Sequence, residues 1–417
     1  MIRPRIVITG IGVISPLGMS FPDVLKAYRN NECSATYVEE WEDKKIGIRT
    51  RVASRCTNFQ ETSIDRKLRR SMSRIAMMAK AATEQAIEDA QLSEAMLKSE
   101  RTGISYGLSF GGTSTIEDYF RVYQNSGVLI DGVGSTTFLK IMPHTCAANI
   151  AISFGIPGRI IASCVACASS TQAIGYGYEA LQLGVVDRII CGGAEELSPT
   201  VAAIFDVLNT TSTNSNHEPK KAAKPFDENR DGIVVGEGAG TFVLETYASA
   251  MARSATIYAE IVGFYTNNDA SHMTNPSVEG LVNCMQGALA NARLSPQDID
   301  YVNAHAAGTQ AGDRAESLAI GKIFGDGPTV SSMKGHIGHL MGAAGALELA
   351  ACIGMFADQA VYPTLNLQTV CPEDGGIRHV IGEKKPQRVR YILKNSFAFG
   401  GVNASLVLRR AEGHGSW

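Results

Sequence analysis

The sequence predicts an α/β fold made of two halves that share one order of elements. Three observations carry this reading. The segment GRIIASCVACASSTQAIGYGYEALQLGVVDRIICGGAEE at 158–196 gives a strand, a short loop, an apolar helix and a second strand, the βαβ pattern of a sheet buried on both faces. Past residue 250 the chain repeats that alternation, with a strand at 257–263, a helix at 277–293, a strand at 301–304, a helix at 313–324, a strand ending at Ser331-Ser332, an apolar helix at 340–356 and a closing pair of strands around 377–409. Composition agrees, since 42 glycines and 45% hydrophobic residues against 19% charged ones describe closely approaching, largely buried elements.

Taken in order, the chain opens on a strand, Arg5 to Thr9, that runs into a glycine turn. Gly10 and Gly12 begin a dinucleotide fingerprint, but Ser15 stands in place of the third glycine and Pro16 where a helix should start, which weighs against nucleotide binding. Residues 66–95 show helical periodicity, with Ile75, Met78, Ala82 and Ala86 on one stripe and Arg66, Lys67, Arg69, Arg70 and Arg74 crowding the early turns. ISYGLSFGG at 104–112 reads as a strand entering glycines. The polar run NTTSTNSNHE at 209–218 is a surface excursion, and VVGEGAGTFVLETY at 234–247 returns to strand before the halves divide near residue 250.

Charge and cysteine usage narrow the function classes. Thirty-eight basic against 41 acidic side chains give a net charge of -3, without the footprint of a dedicated nucleic-acid binder. Nine cysteines, scattered singly apart from Cys164 and Cys167, and an N-terminus in which Arg3 and Arg5 lead straight into IVITGIG predict a reducing, cytoplasmic setting. Glu348 interrupts the apolar run MGAAGALELAACIGMF, so no bilayer span is expected.

Three strand ends carry candidate chemistry. Cys167 stands between a strand ending near Ala162 and a helix starting near Ala168, where the positive helix end should lower the thiol pKa. The alternative is one more buried small hydrophobe. CVAC also matches a redox CxxC, but Cys164 lies in the strand-to-loop approach, and zinc lacks a second Cys/His pair at ligand spacing. His305 follows the apolar strand YVNAH. Lys334, His336 and His339 occupy a loop before the glycine-alanine helix, where a histidine tends to stay neutral and able to donate one hydrogen bond to an enolate oxygen. NSFAFGGVN at 395–403 places two glycines after Phe399, suited to presenting an N–H to an oxyanion beside a movable ring; its alternative is a simple turn between strands.

Together these motifs resemble the β-ketoacyl-acyl carrier protein synthase family of the thiolase superfamily. The resemblance spans essentially the whole chain: VITGIGVISPLG at 7–18, VACAS at 165–169, KPFDENRDGIVVGEGAG at 224–240, YVNAH to AGD at 301–313, SSMKGHIGHLMGAAGA at 331–346 and NSFAFGGVNASLVL at 395–408. It implies a thiolase-like, duplicated αβαβα five-layered fold, with residues 1–250 carrying the nucleophile, 251–410 carrying the histidines, the lysine and the gate loop, and 411–417 a tail. Carried over, Cys167 is the acylated nucleophile, and His305 and His339 are the decarboxylation pair. Lys334 holds the network together through Glu316, and Phe399 gates the entrance. The backbone N–H groups of Cys167 and Phe399 form the oxyanion hole, and Thr309, Thr274, Phe110 and Phe397 contact the pantetheine arm or the acyl chain.

The resemblance implies no metal and no cofactor of the enzyme's own, because substrates arrive on the phosphopantetheine of an acyl carrier protein. The expected assembly is a homodimer or a heterodimer with a cysteine-less, chain-length-factor-like homologue. YAEIVGF and GGAEELSP lean towards the bacterial elongating enzyme of the unsaturated-chain type. Ala307 removes one of two hydroxyls that hold the pantetheine arm, which weakens binding by about 1 kcal/mol without abolishing chemistry. Ala398 stands where the gate loop usually has glycine, and Phe110 where smaller aliphatic side chains are common. These departures point to a specialised synthase, of polyene or aromatic polyketide chains for example, rather than housekeeping fatty acid elongation. A thiolase would need a second cysteine in NSFAFGGVN, and an inert chain-length or scaffold subunit would not need Cys167. The cluster Arg66, Lys67, Arg69 and Arg70 is a candidate carrier-protein dock, and His336, with no matched role, is expected to tolerate substitution.

Overall fold

The computed structural model describes residues 3–372 and 376–411; of the tail 411–417, residues 412–417 lie outside the described residues. Ten strands build the body of the protein: β1 Ile6–Ile14, β2 Thr102–Gly107, β3 Ile160–Ser163, β4 Arg188–Glu195, β5 Gly238–Thr246, β6 Ala259–Asn268, β7 Tyr301–Asn303, β8 Thr329–Ser331, β9 Tyr391–Phe397 and β10 Val402–Arg410. They run as β3-β2-β4-β5-β1 and β8-β7-β9-β10-β6, one strand order used twice. Polarity repeats as well. β2 is parallel to β3 and β4, and β5 is antiparallel to β4 and β1; β7 is parallel to β8 and β9, and β10 is antiparallel to β9 and β6. Antiparallel pairing of β1 with β6, Ile6 opposite Ile261, joins both sets into one 11-stranded sheet that ends at the short edge strand Arg378–His379.

Six helices complete five layers: α1 Arg74–Asp89, α2 Thr145–Phe154, α3 Ser169–Gln182, α4 Val278–Ala292, α5 Gln310–Phe324 and α6 Ala344–Asp358. α1 and α2 cover the outer face of the first strand set, and α4 and α5 that of the second. Between the sets lie α3 and α6, which touch strands of both. A middle layer must bury every side of its helices. Accordingly α6 is buried from Ala344 through Phe356 and α3 carries Ser169, Ser170, Thr171, Ala173, Gly175 and Gly177 at its contacts. A Cβ on Gly345 would lie 2.0 Å from Thr171 Oγ1, so the α3–α6 crossing depends on that glycine.

The segment Met341–Asp358 is long and apolar enough by composition to cross a membrane, although Glu348 was expected to interrupt it. In the fold 89% of it is buried inside the protein. Two further expectations change. The first strand continues through Gly10 and Gly12 to Ile14 instead of turning. A Cβ at Gly10 would lie 2.3 Å from Ala86 O and one at Gly12 1.9 Å from Ala82 O, so these glycines let α1 rest directly on the strand. The helix expected over 66–95 is three pieces, Arg66–Arg69, α1 and Glu94–Leu97. Ser73 is extended, and Arg74 turns inward to ion pairs with Glu237 and Glu61, both at 2.9 Å.

Gly12→Ala should destabilise the protein by at least about 2 kcal/mol, because overpacking against a helix backbone has nowhere to relax. The control Gly134→Ala, whose Cβ meets only Thr137 Oγ1 at 3.5 Å, should stay within about 0.5 kcal/mol. Urea midpoints of the two variants make the comparison.

Candidate active site

Cys167 is presented by a tight turn. After β3 the chain passes Ala166 in the left-handed region (φ 48°), and a single 3-10 turn, Ala166–Ala168, delivers Cys167 to the start of α3. A left-handed alanine costs roughly 1–3 kcal/mol. The Ser169 hydroxyl offsets that strain by donating to Ala166 O (2.7 Å) and accepting from Val165 N–H (2.9 Å).

His305 follows β7, and His339 follows the short helix Lys334–Ile337 after Gly338 (φ 74°). The two rings stand edge to face with centroids 5.2 Å apart. The Cys167 sulfur and one nitrogen from each ring lie within 4.8 Å of one another, with His339 Nε2 3.1 Å from Cys167 Sγ. The hydrogen bonds assign the tautomers. Met341 N–H donates to His339 Nδ1 (3.2 Å), and the Lys334 ammonium, which has no lone pair, lies 3.4 Å from His305 Nδ1. Each neutral ring therefore carries its proton on Nε2. Both Nε2–H groups are donors, which suits a developing enolate oxygen.

Burial sets the charge states. Desolvation pushes the Cys167 thiol up to about 12 against the opposing pull of Lys334, so the expected lowering by the helix end is outweighed. Burial, then Lys334, holds His305 and His339 well below the ordinary histidine value, so both stay neutral.

Lys334 makes no hydrogen bond or ion pair to Glu316 among the described residues, although its charge still acts on that carboxyl. Its ammonium donates to His305 O and pairs with Glu348, whose other oxygen lies 3.0 Å from Lys394. Glu316 instead accepts the backbone N–H groups of His305 (2.9 Å) and Ala306 (2.7 Å) and the Asn395 amide (3.1 Å), shaping the loop that aims His305; burial raises its carboxyl to about 7. Asp313 does the same for Ala307 and Gly308. Sequence reasoning missed Glu348 and Lys394. The signal for Glu348 was present as the lone acid in an apolar helix, read only as an interruption.

A cavity of about 360 Å³ opens onto Cys167, His305 and His339, with Phe397, Phe399, Thr274 and Thr309 among its lining residues. The Phe399 ring faces Phe205 at 6.1 Å, and Gly400 N–H donates to Met273 O (2.8 Å), tethering the gate loop to the cavity mouth. Phe110 does not line this cavity. It is 39% exposed, next to Gly111, where a Cβ would lie 1.5 Å from Ile141 O. His336 is no loosely held loop residue either. Fully buried, it reaches Glu32 O (3.1 Å) and Pro363 O (3.0 Å) and stands edge-on to Tyr28, so its replacement would be felt by the fold.

Residues 3–250 match the family model described as "Beta-ketoacyl synthase, N-terminal domain" and residues 258–368 that described as "Beta-ketoacyl synthase, C-terminal domain". The chain belongs to the beta-ketoacyl synthase family and is a condensing enzyme of thiolase-like fold. Among its relatives, "3-oxoacyl-[acyl-carrier-protein] synthase 1" of Haemophilus influenzae is 36% identical over 98% of this chain and 100% of that protein. "Putative polyketide beta-ketoacyl synthase 1" of Streptomyces cyaneus is 34% identical over 98% of this chain and 99% of that protein. The crystal structure of a beta-ketoacyl synthase from Burkholderia phymatum STM815 superposes with a TM-score of 0.94 at 41% identity, covering 98% of this chain and all of that one.

A raised thiol pKa means that the thiolate fraction grows through high pH. Alkylation of Cys167 by iodoacetamide should therefore accelerate from pH 7 to beyond pH 10 without levelling off. A plateau near neutrality would show that the helix end outweighs burial.

Proposed function

We propose that this chain joins an acyl group held on Cys167 to a malonyl group delivered by an acyl carrier protein, giving a β-ketoacyl-carrier longer by two carbons. The observation that carries the reading is the convergence of one ring nitrogen from each of His305 and His339 on the Cys167 sulfur. In the first half-reaction the sulfur attacks the carrier thioester, the tetrahedral oxyanion is held by the N–H groups of Cys167 and Phe399, and the carrier thiol leaves with the proton. In the second, the malonyl C–C bond breaks to release CO2, and its electrons form an enolate whose oxygen lies between His305 and His339. The enolate carbon then attacks the acyl carbonyl, and the Cys167 thiolate departs and takes a proton from solvent to restore the thiol. Electrons pass only between substrate bonds, so the balance needs no external oxidant or reductant.

Ala307 and Ala398 favour a specialised polyene or polyketide chain over ordinary elongation. The catalytic member of a dimer is the assembly that fits best. Between residues 110 and 160 the chain exposes Phe120, Leu129, Ile130, Phe138 and Ile152, and β3 lies at an open sheet edge. Exposed apolar surface on this scale calls for a partner, either a second copy or a cysteine-less homologue, and Phe110 would reach an acyl chain only within that pairing. Arg66, Lys67 and Arg70 are exposed and Arg69 partly so, which suits docking of an acidic carrier protein.

Cys167→Ala should abolish acyl loading while the fold persists. His305→Ala and His339→Ala should each slow malonyl decarboxylation by roughly a hundredfold or more and slow acyl transfer less. Intact-mass loading and single-turnover CO2 release separate the steps, and an adduct on Cys164 would move the nucleophile. Charge reversal at Arg66 and Arg70 should raise KM for carrier-bound substrate and leave activity on a free pantetheine thioester level; equal losses would return the cluster to folding.

A further inference from the structure

Lys394 is a fully buried cation on β9 that the reaction above does not use. Its ammonium lies 3.0 Å from Glu348 Oε2 and donates to Thr171 Oγ1 (2.8 Å) and to the Ser396 hydroxyl. Those three contacts reach the three elements that assemble the site. Thr171 is on α3, which carries Cys167 at its start; Ser396 precedes Phe397 and Phe399; Glu348 holds Lys334, and Lys334 holds His305.

We propose that Lys394 is a positioning and charge-setting residue for condensation: by sharing Glu348 with Lys334 it leaves the two histidines facing an excess ammonium charge, and through Thr171 and Ser396 it fixes the nucleophile helix against the gate strand. The groups facing this region are few. Glu348 and Cys352 approach Lys394 from α6, with Lys334 beyond them. His305 faces Lys334, His339 and Lys394, while Glu316 takes its backbone N–H; His339 faces Lys334, Lys394 and Cys167. Both lysines oppose a charge on either imidazole, in the same direction as burial. That matters for geometry. Protonating His339 would put an N–H on Nδ1 against the Met341 N–H, and protonating His305 would put one against the Lys334 ammonium. Either event turns an Nε2–H away from the enolate position.

The proposal rests on the decarboxylation role given above to the histidines. Lys394→Met and Lys394→Gln in the full chain test it. Removing one of two ammonium groups from a shared carboxylate leaves a one-to-one pair, so both variants should fold with urea midpoints equal to or above that of the wild type. The acid limb of CO2 release from malonyl-carrier should move up by roughly one pH unit in both, about tenfold slower at a fixed pH on that limb. Lys394→Gln keeps a donor for Thr171 and Ser396 and should retain the plateau rate, whereas Lys394→Met should lose part of it. An acid limb superimposable on the wild type in a folded variant overturns the proposal. Failure of both variants to fold overturns it as well, by assigning the lysine to the fold. A wild-type chain that releases no CO2 at any pH would instead overturn the condensation reading, and this inference with it.

Discussion

One carboxylate organises the molecule. Glu348 sits in the middle helix layer between two buried lysines, a place where an unpaired charge would cost several kcal/mol. Its neighbours come from the short helix after β8 and from β9, so the ion cluster pins the second strand set to the central layer. The cluster also reaches the candidate site, where the Lys334 ammonium donates to His305 O. Burial, aided by the ammonium charge, keeps both imidazoles neutral. Fold and active site therefore share a charge balance, and a change to one is felt by the other.

Above that cluster, the carboxyl ends of β3, β7, β8 and β9 converge on one cavity, the place where open α/β sheets gather ligands. What converts proximity into chemistry is proton placement. A backbone N–H from Met341 and an ammonium from Lys334 hold the two imidazoles in one tautomer, so that the donors are aimed before any substrate arrives.

Much of this was legible in the sequence because turn residues and strand-end motifs are local. Cys167 between strand and helix, His305 after YVN and the paired glycines after Phe399 all fall where spacing placed them. Pairings across the fold were not legible. Lys334 meets Glu348 and not Glu316, since the choice depends on which side of the middle layer each carboxylate faces. Gly10 and Gly12 read as a turn because a lone sequence cannot show α1 lying on the strand. The thiol's environment was likewise invisible: helix position is a local property, enclosure a global one.

The pairing of β1 has a consequence for how the chain comes into being. Ile6 lies in register opposite Thr246 on one side and Ile261 on the other, so a strand made at the very start of synthesis finds its neighbours roughly 240 residues later, at a contact separation that slows folding. Until then both of its edges stay unpaired on the nascent chain, although α1 can already cover one face. Early-emerging segments of this kind are natural clients for holdase chaperones, and a truncation that ends before β6 leaves one edge of β1 open.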